Sequence, residues 1–150
     1  MSSILIRRAN MVSGSPPQPS GVDLTSLFTW TDGAFNSSGG TASNSFMRRS
    51  NSIDISPYAG WTMKVTWMDY KTTTGGRSTG YGLFFYDADN NILYNERVPL
   101  ATTGENGTGH SIDNYEITIP SNAVGFKTLD FRTSVTFPHS TFSCKVYGTL

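Results

Sequence analysis

The chain has 150 residues, of which 11 are Lys or Arg and 11 are Asp or Glu, so its formal net charge is zero. That balance excludes nucleic-acid binding driven by release of phosphate counterions, and no stretch approaches the ~18 apolar residues of a membrane span. Charged residues are 15% of the chain against the roughly 25% of an average domain, and aromatics are 13%. Ser, Thr, Asn and Gly stand where a helical protein would carry Ala, Leu and Glu, so the composition is that of one β-rich domain.

Residues 1–21 read as an extended arm. Ile4, Leu5 and Ile6 form a short apolar strip, Arg7 and Arg8 follow, and Gly14 to Gly21 is a Pro/Gly/Ser linker that cannot enter a sheet interior. A secretory signal places its charges before its apolar run, so none is expected here. The strip suits docking by strand addition or insertion into a partner, which makes Ile4, Leu5, Ile6, Arg7 and Arg8 the expected partner-binding residues. The competing reading is a disordered terminus.

The domain expected over 22–150 reads as short strands split by turn chemistry. Leu24 to Trp30 is the first strand candidate, and Asn36 to Ser45 (NSSGGTASNS) is a loop. Phe46 to Ile55 follows, closed by Ser56-Pro57. In Trp61 to Tyr70, Trp61, Met63, Val65 and Trp67 alternate with Thr62, Lys64 and Thr66, the pattern of a half-buried strand. Lys71 to Gly80 is a Gly/Thr loop. Gly82 to Asp87 and Ile92 to Val98 flank Ala88-Asp89-Asn90-Asn91, which reads as a hairpin turn. Ala101 to His110 is a second long loop, Ile112 to Ile119 a strand stopped by Pro120, and Val124 to Phe137 a long strand. In the last strand Phe142, Cys144 and Val146 alternate with Ser143, Lys145 and Tyr147. About eight antiparallel strands with Gly-rich turns and no amphipathic helix predict a jelly-roll-like β-sandwich.

Three segments carry a family resemblance: Arg48 to Val65 (RRSNSIDISPYAGWTMKV), Gly82 to Pro99 (GLFFYDADNNILYNERVP) and Tyr115 to Thr133 (YEITIPSNAVGFKTLDFRT). An Arg-Ser strand running to Pro57, the Phe85-Tyr86-Asp87 strand with its polar hairpin, and Ile119-Pro120-Ser121-Asn122-Ala123 leading into a late strand resemble the β-jelly-roll modules of phage tail fibres, head fibres and related bacterial surface proteins. Those modules are carbohydrate-binding-like or galactose-binding-like. The resemblance spans about residues 22–148 and implies a sandwich fold and a glycan ligand; the arm lies outside it.

Chemical motifs have bland competitors. Asp87, Asp89 and Asn91 match the opening of a calcium loop, but Ile92 and Val98 stand where Gly and a bidentate acid are needed, so a hairpin turn is expected. Gly104, Gly109, His110 and Ser111 have the spacing of a phosphate loop with His in place of Lys, followed by a strand pattern rather than a helix. Cys144 lies on the apolar face of its strand, which points to an inert buried thiol rather than a partner for His139. The carboxylates sit mostly in turns, as at Asp32-Gly33 and Asp113-Asn114, which disfavours a glycosidase pair. Arg48 and Arg49 must point to opposite faces of a strand. Exposed charges guarding an edge are expected of them, with one inward or interfacial arginine as the competing reading. Trp61 and Trp67 are expected in the core. Trp30, Tyr70 and Tyr81 border polar loops and, with Arg77 between the two tyrosines, are the expected ligand-binding set, serving a sugar or a protein surface equally well.

Together these readings predict a non-enzymatic phage virion accessory protein, a capsid-decorating, head-fibre or tail-associated module. It would attach through residues 1–21 to other virion proteins and display its sandwich at the particle surface. The alternative is a carbohydrate-binding module for host or environmental glycans. No catalytic residue, cofactor or metal site is expected, and neither is a nucleic-acid or membrane partner. Homo-oligomerisation is expected from the symmetry of what such proteins decorate. A single cysteine allows no internal disulfide, which fits synthesis in a reducing cytoplasm before assembly into the virion.

Overall fold

The computed structural model describes residues 21–44, 47–71, 81–97, 108–131 and 142–148. These form an all-β, antiparallel sandwich. In chain order the strands are β1 (Gly21–Asp23), β2 (Trp30–Asp32), β3 (Ala34–Phe35), β4 (Thr41–Ala42), β5 (Met47–Ser50), β6 (Ile53–Asp54), β7 (Thr62–Lys71), β8 (Tyr81–Tyr86), β9 (Ile92–Arg97), β10 (Thr108–Thr118), β11 (Gly125–Phe131) and β12 (Ser143–Tyr147). One sheet has the order β1-β12-β7-β10; the other runs β2-β5-β11-β8-β9, with β6 continuing β5 along β11. Numbering only β1, β5 and β7–β12 as one to eight, the sheets read 1-8-3-6 and 2-7-4-5, the interleaving of a jelly roll.

Side-chain alternation places the core. Met63, Val65 and Trp67 of β7 and Cys144 and Val146 of β12 face Leu83 and Phe85 of β8 and Phe126 of β11, and all eight are fully buried. Phe85 and Phe126 pack with ring centroids 4.8 Å apart. The indole N–H of Trp67 donates to the Thr128 hydroxyl at 3.0 Å, a hydrogen bond that ties one layer to the other. Trp61 departs from expectation: it precedes β7 in a bend, is only partly buried, and packs edge-on to Tyr58. Leu24 to Trp30 is not one strand either, because Thr25–Leu27 forms a 3-10 turn between β1 and β2. Gly21 already pairs with Tyr147, so the sheet begins one residue inside the expected arm.

The stretch expected as a loop over 36–45 instead contributes to a small hairpin. β3 and β4 pair and cover the outer face of the second sheet, where Phe35 meets Phe84 edge-on at 5.5 Å. Asn36 organises the turn: its side-chain oxygen accepts from the backbone N–H groups of Ser38 and Gly40. Gly39 sits at φ +85° directly against the Tyr86 hydroxyl, where a side chain has neither the backbone freedom nor the room. This flap explains why Phe84, on the outer face, is fully buried.

The two ends of the sandwich differ. At one pole Lys71 lies opposite Thr108, Tyr81 opposite Arg97, and Phe131 opposite Met47. The connections 72–80 and 98–107 therefore join strand ends at this pole, and 132–141 leaves from it to reach β12, which begins opposite Thr66; those connecting residues lie outside the described ones. At the other pole the connections are short: Ile55 to Trp61, Asp87 to Asn91, and Ile119 to Val124. Gly21 lies at this short-turn pole, in register with Tyr147, which itself faces Thr62. The ten residues of β7 separate the poles by roughly 30 Å.

Candidate functional site

Asp32, Arg48 and Asp130 form a row across β2, β5 and β11, in register and on the inward face near the long-loop pole. The Asp130 carboxylate is fully buried and accepts a 2.8 Å charge-assisted hydrogen bond from Arg48, whose side chain is 19% exposed. The guanidinium also lies 4.1 Å from the centre of the Trp30 ring. Arg48 is thus the inward arginine, not an edge guard, while Arg49 donates to the Asp32 carbonyl at 3.0 Å. The alternation Phe126, Thr128, Asp130 carried the signal for this pair, since it puts Asp130 on the same face as a core phenylalanine.

Of the expected ligand set, Trp30 and Tyr81 stand apart on the second sheet. Trp30 packs beside Phe28 and edge-on to Phe142 at 4.9 Å, with Arg48 over its ring. Tyr81 starts β8, three strand spacings or roughly 14 Å from β2, and is partly buried against the core. Tyr70 pairs with Gly109 near the end of β7, so its backbone shares the long-loop pole with Tyr81. Arg77 lies outside the described residues, as do Ile4, Leu5, Ile6, Arg7 and Arg8.

A groove that the sequence did not suggest runs along the outer face of the second sheet at the short-turn pole. Register builds it from two rows, Ser52-Lys127-Phe84-Asn95 and Asp54-Gly125-Tyr86-Ile92, roofed by the Ser38–Gly40 turn of the flap. Two adjoining hollows of about 390 and 430 Å³ share Ser52, Tyr86 and Asn90. Gly125 leaves a notch in the floor: a Cβ there would stand 3.1 Å from the Ser52 hydroxyl oxygen and 3.8 Å from the Tyr86 Cβ. The Lys127 ammonium donates to the Gly39 carbonyl at 2.8 Å and lies 4.5 Å from the Phe35 ring centre and 5.0 Å from that of Tyr86. Partial burial lowers its pKa below the ordinary lysine value, and burial raises that of the Tyr86 hydroxyl.

The other titratable groups hold the fold. Asp87 closes the β8–β9 hairpin, accepting from the N–H groups of Asp89 and Asn91, with Asn90 left-handed at φ +64°. Asp23 and Asp54 accept the N–H of Thr25 and of Ser56 in the same way. Hydrogen bonds to the ionised form hold all three carboxyls below the ordinary aspartate value: those from Thr25 at Asp23, from Ser56 at Asp54, and from Asn91 first at Asp87. The Cys144 thiol is buried and its pKa is pushed up to about 12, chiefly by desolvation. Among the described residues no group of three or more His, Cys, Asp or Glu could hold a metal ion, and no helix is long and apolar enough to cross a membrane.

Comparison of the chain with protein-family models, with curated proteins and with solved structures gave no match.

Proposed function

We propose that this chain is a non-enzymatic accessory protein of a phage virion, a capsid-decorating, head-fibre or tail-associated module. Residues 1–20 attach it to other virion proteins and the sandwich is displayed outward. The observation that carries this reading is the polarity of the jelly roll. The N-terminal segment joins β1 at the short-turn pole, two long connections join strand ends at the opposite pole, roughly 30 Å away, and a third leaves from that pole at Phe131. An anchor at one end and long loops at the other suit attachment below and recognition above. The segments over 48–65, 82–99 and 115–133 that resemble phage fibre modules support the same reading, and so do carboxylates and a thiol committed to turns and core.

The test compares the full chain with a chain lacking residues 1–20, each supplied to particles of the phage that carries its gene. The full chain should co-sediment with the particles on a density gradient. The truncated chain should stay at the top of the gradient while still melting cooperatively. Equal co-sedimentation of the two forms overturns the role of the arm, and absence of the full chain from particles overturns the virion reading. Glycan recognition is the second reading, and the polar groove at the Gly125 notch is the observation that favours it.

A further inference from the structure

We infer that the groove over Gly125, on the outer face of the second sheet, is a binding site for a single pyranoside unit of a neutral glycan. The inference rests on the glycan reading and not on the virion reading. The groove has the size of a small-ligand site, since its hollows fall within the about 300–1,000 Å³ such pockets occupy. Its polar groups are ready to bind. The Ser52 hydroxyl, the Tyr86 hydroxyl and the Asn90 side-chain amide make no hydrogen bond to any described residue, and the Lys127 ammonium uses one N–H on Gly39. The Asp54 carboxylate accepts Ser56 through one oxygen, Oδ1, and the other remains available.

The chemistry of these groups selects the ligand class. An anion would meet the ionised carboxylates of Asp54 and Asp87, and a cation would meet Lys127. An apolar ligand would strand the hydroxyls and the amide without partners. A neutral polyol uses all of them, because each sugar hydroxyl both donates and accepts. Ile92 and Val124, 38% and 37% exposed, stand at the two hollows as the largest exposed aliphatic surfaces near them and suit the C–H face of a pyranose ring. Gly125 admits the ring, since any side chain there would fill the notch beside Ser52 and Tyr86.

The test is an amide chemical-shift titration of the full chain with the methyl glycosides of glucose, galactose and mannose, up to tens of millimolar. At least one should bind saturably with a millimolar Kd, shifting the amides of Ser38 to Gly40, Asn90 and Gly125. Two variants keep the fold. Asn90→Gly retains a residue suited to φ +64°, and Gly125→Ala needs only a small displacement of the Ser52 hydroxyl. Each should weaken binding by about fivefold or more, the loss of one hydrogen bond or of the notch, with the melting temperature of Asn90→Gly unchanged. Saturable binding whose shifts fall elsewhere, or which ignores both variants, overturns the groove and leaves glycan recognition standing. Absence of saturable binding by all three glycosides overturns the inference. Tighter binding of inorganic phosphate or of glucuronate at the same amides also overturns it, because it assigns the groove to an anion.

Discussion

At the scale of single residues, burial decides which charges matter. Asp130 is out of water, and Arg48 both pairs with it and lies over the Trp30 ring. Replacing Arg48 with Ala leaves a buried carboxylate without its cation, and about 3 kcal/mol of stability should be lost, read from the urea midpoint at constant slope. The double variant Arg48→Met, Asp130→Leu should recover most of that loss, since apolar side chains avoid the desolvation of both ions. The exposed carboxyls of Asp54 and Asp87 act differently. Their folded-state pKa values lie below the ordinary 3.8, so their stabilisation is complete above that value and is lost as the pH falls through the folded-state values. The urea midpoint should therefore drop below pH 4, and Asp87→Asn, which keeps an acceptor for the turn, should flatten that drop. Cys144 should resist a thiol reagent at pH 8 in the native protein and react fully in urea, since a thiol with a pKa of about 12 is almost never ionised there. Of these residues, the inert thiol and the Asp87 turn were legible from alternation and turn chemistry. An inward arginine was one of two readings of the Arg-Arg doublet, but its carboxylate partner was not legible, because Asp130 lies 82 residues away on a strand whose neighbour only the fold fixes.

At the scale of elements, the strands with a clear apolar pattern were legible and the rest were not. β7 and β12 bury one face each, so their apolar period fixes their orientation, whereas β8 is buried on both faces and is legible from its apolar run and the polar hairpin turn that follows it. β3 and β4 have two residues each, too short for any period, and the Gly/Ser/Asn content of their connection reads as open loop. Their burial comes from tertiary contacts, above all Phe35 on Phe84 and Lys127 on Gly39. Replacing Lys127 with Ala should loosen this flap alone. Hydrogen exchange should speed up at the amides of Asn36 and Gly39, whose bonds close the turn, while the amides of β7 keep their protection. Thr128 joins the layers: its hydroxyl accepts from Trp67 and donates to the Gly82 carbonyl. Thr128→Val keeps the shape but leaves the indole N–H and that carbonyl unpaired in the core, so about 1–3 kcal/mol should be lost in thermal or urea unfolding.

At the scale of the whole molecule, pairing order is what a single sequence does not contain. Strand number and one-sided burial predicted a sandwich, but placing β12 between β1 and β7 depends on contacts between the two ends of the chain, such as Leu24 N–H to the Cys144 carbonyl at 2.8 Å. The separation of Trp30 from Tyr81 was illegible for the same reason: closeness to a loop in sequence does not say which strands stand side by side. Because β12 is central in its sheet and arrives last, removing residues 142–150 should abolish cooperative unfolding, measured by calorimetry, rather than trim the domain. Such non-local closure also predicts refolding in milliseconds to seconds by stopped-flow fluorescence of the tryptophans. The direction of β1 carries a mechanical consequence. It runs from the short-turn pole toward the other, antiparallel to β12, and its backbone hydrogen bonds lie across that axis. Tension between a tether at Gly21 and a load at the far pole would pull along the strand. The bonds to Val146 and its neighbours would then be sheared together instead of parting one after another like a zipper.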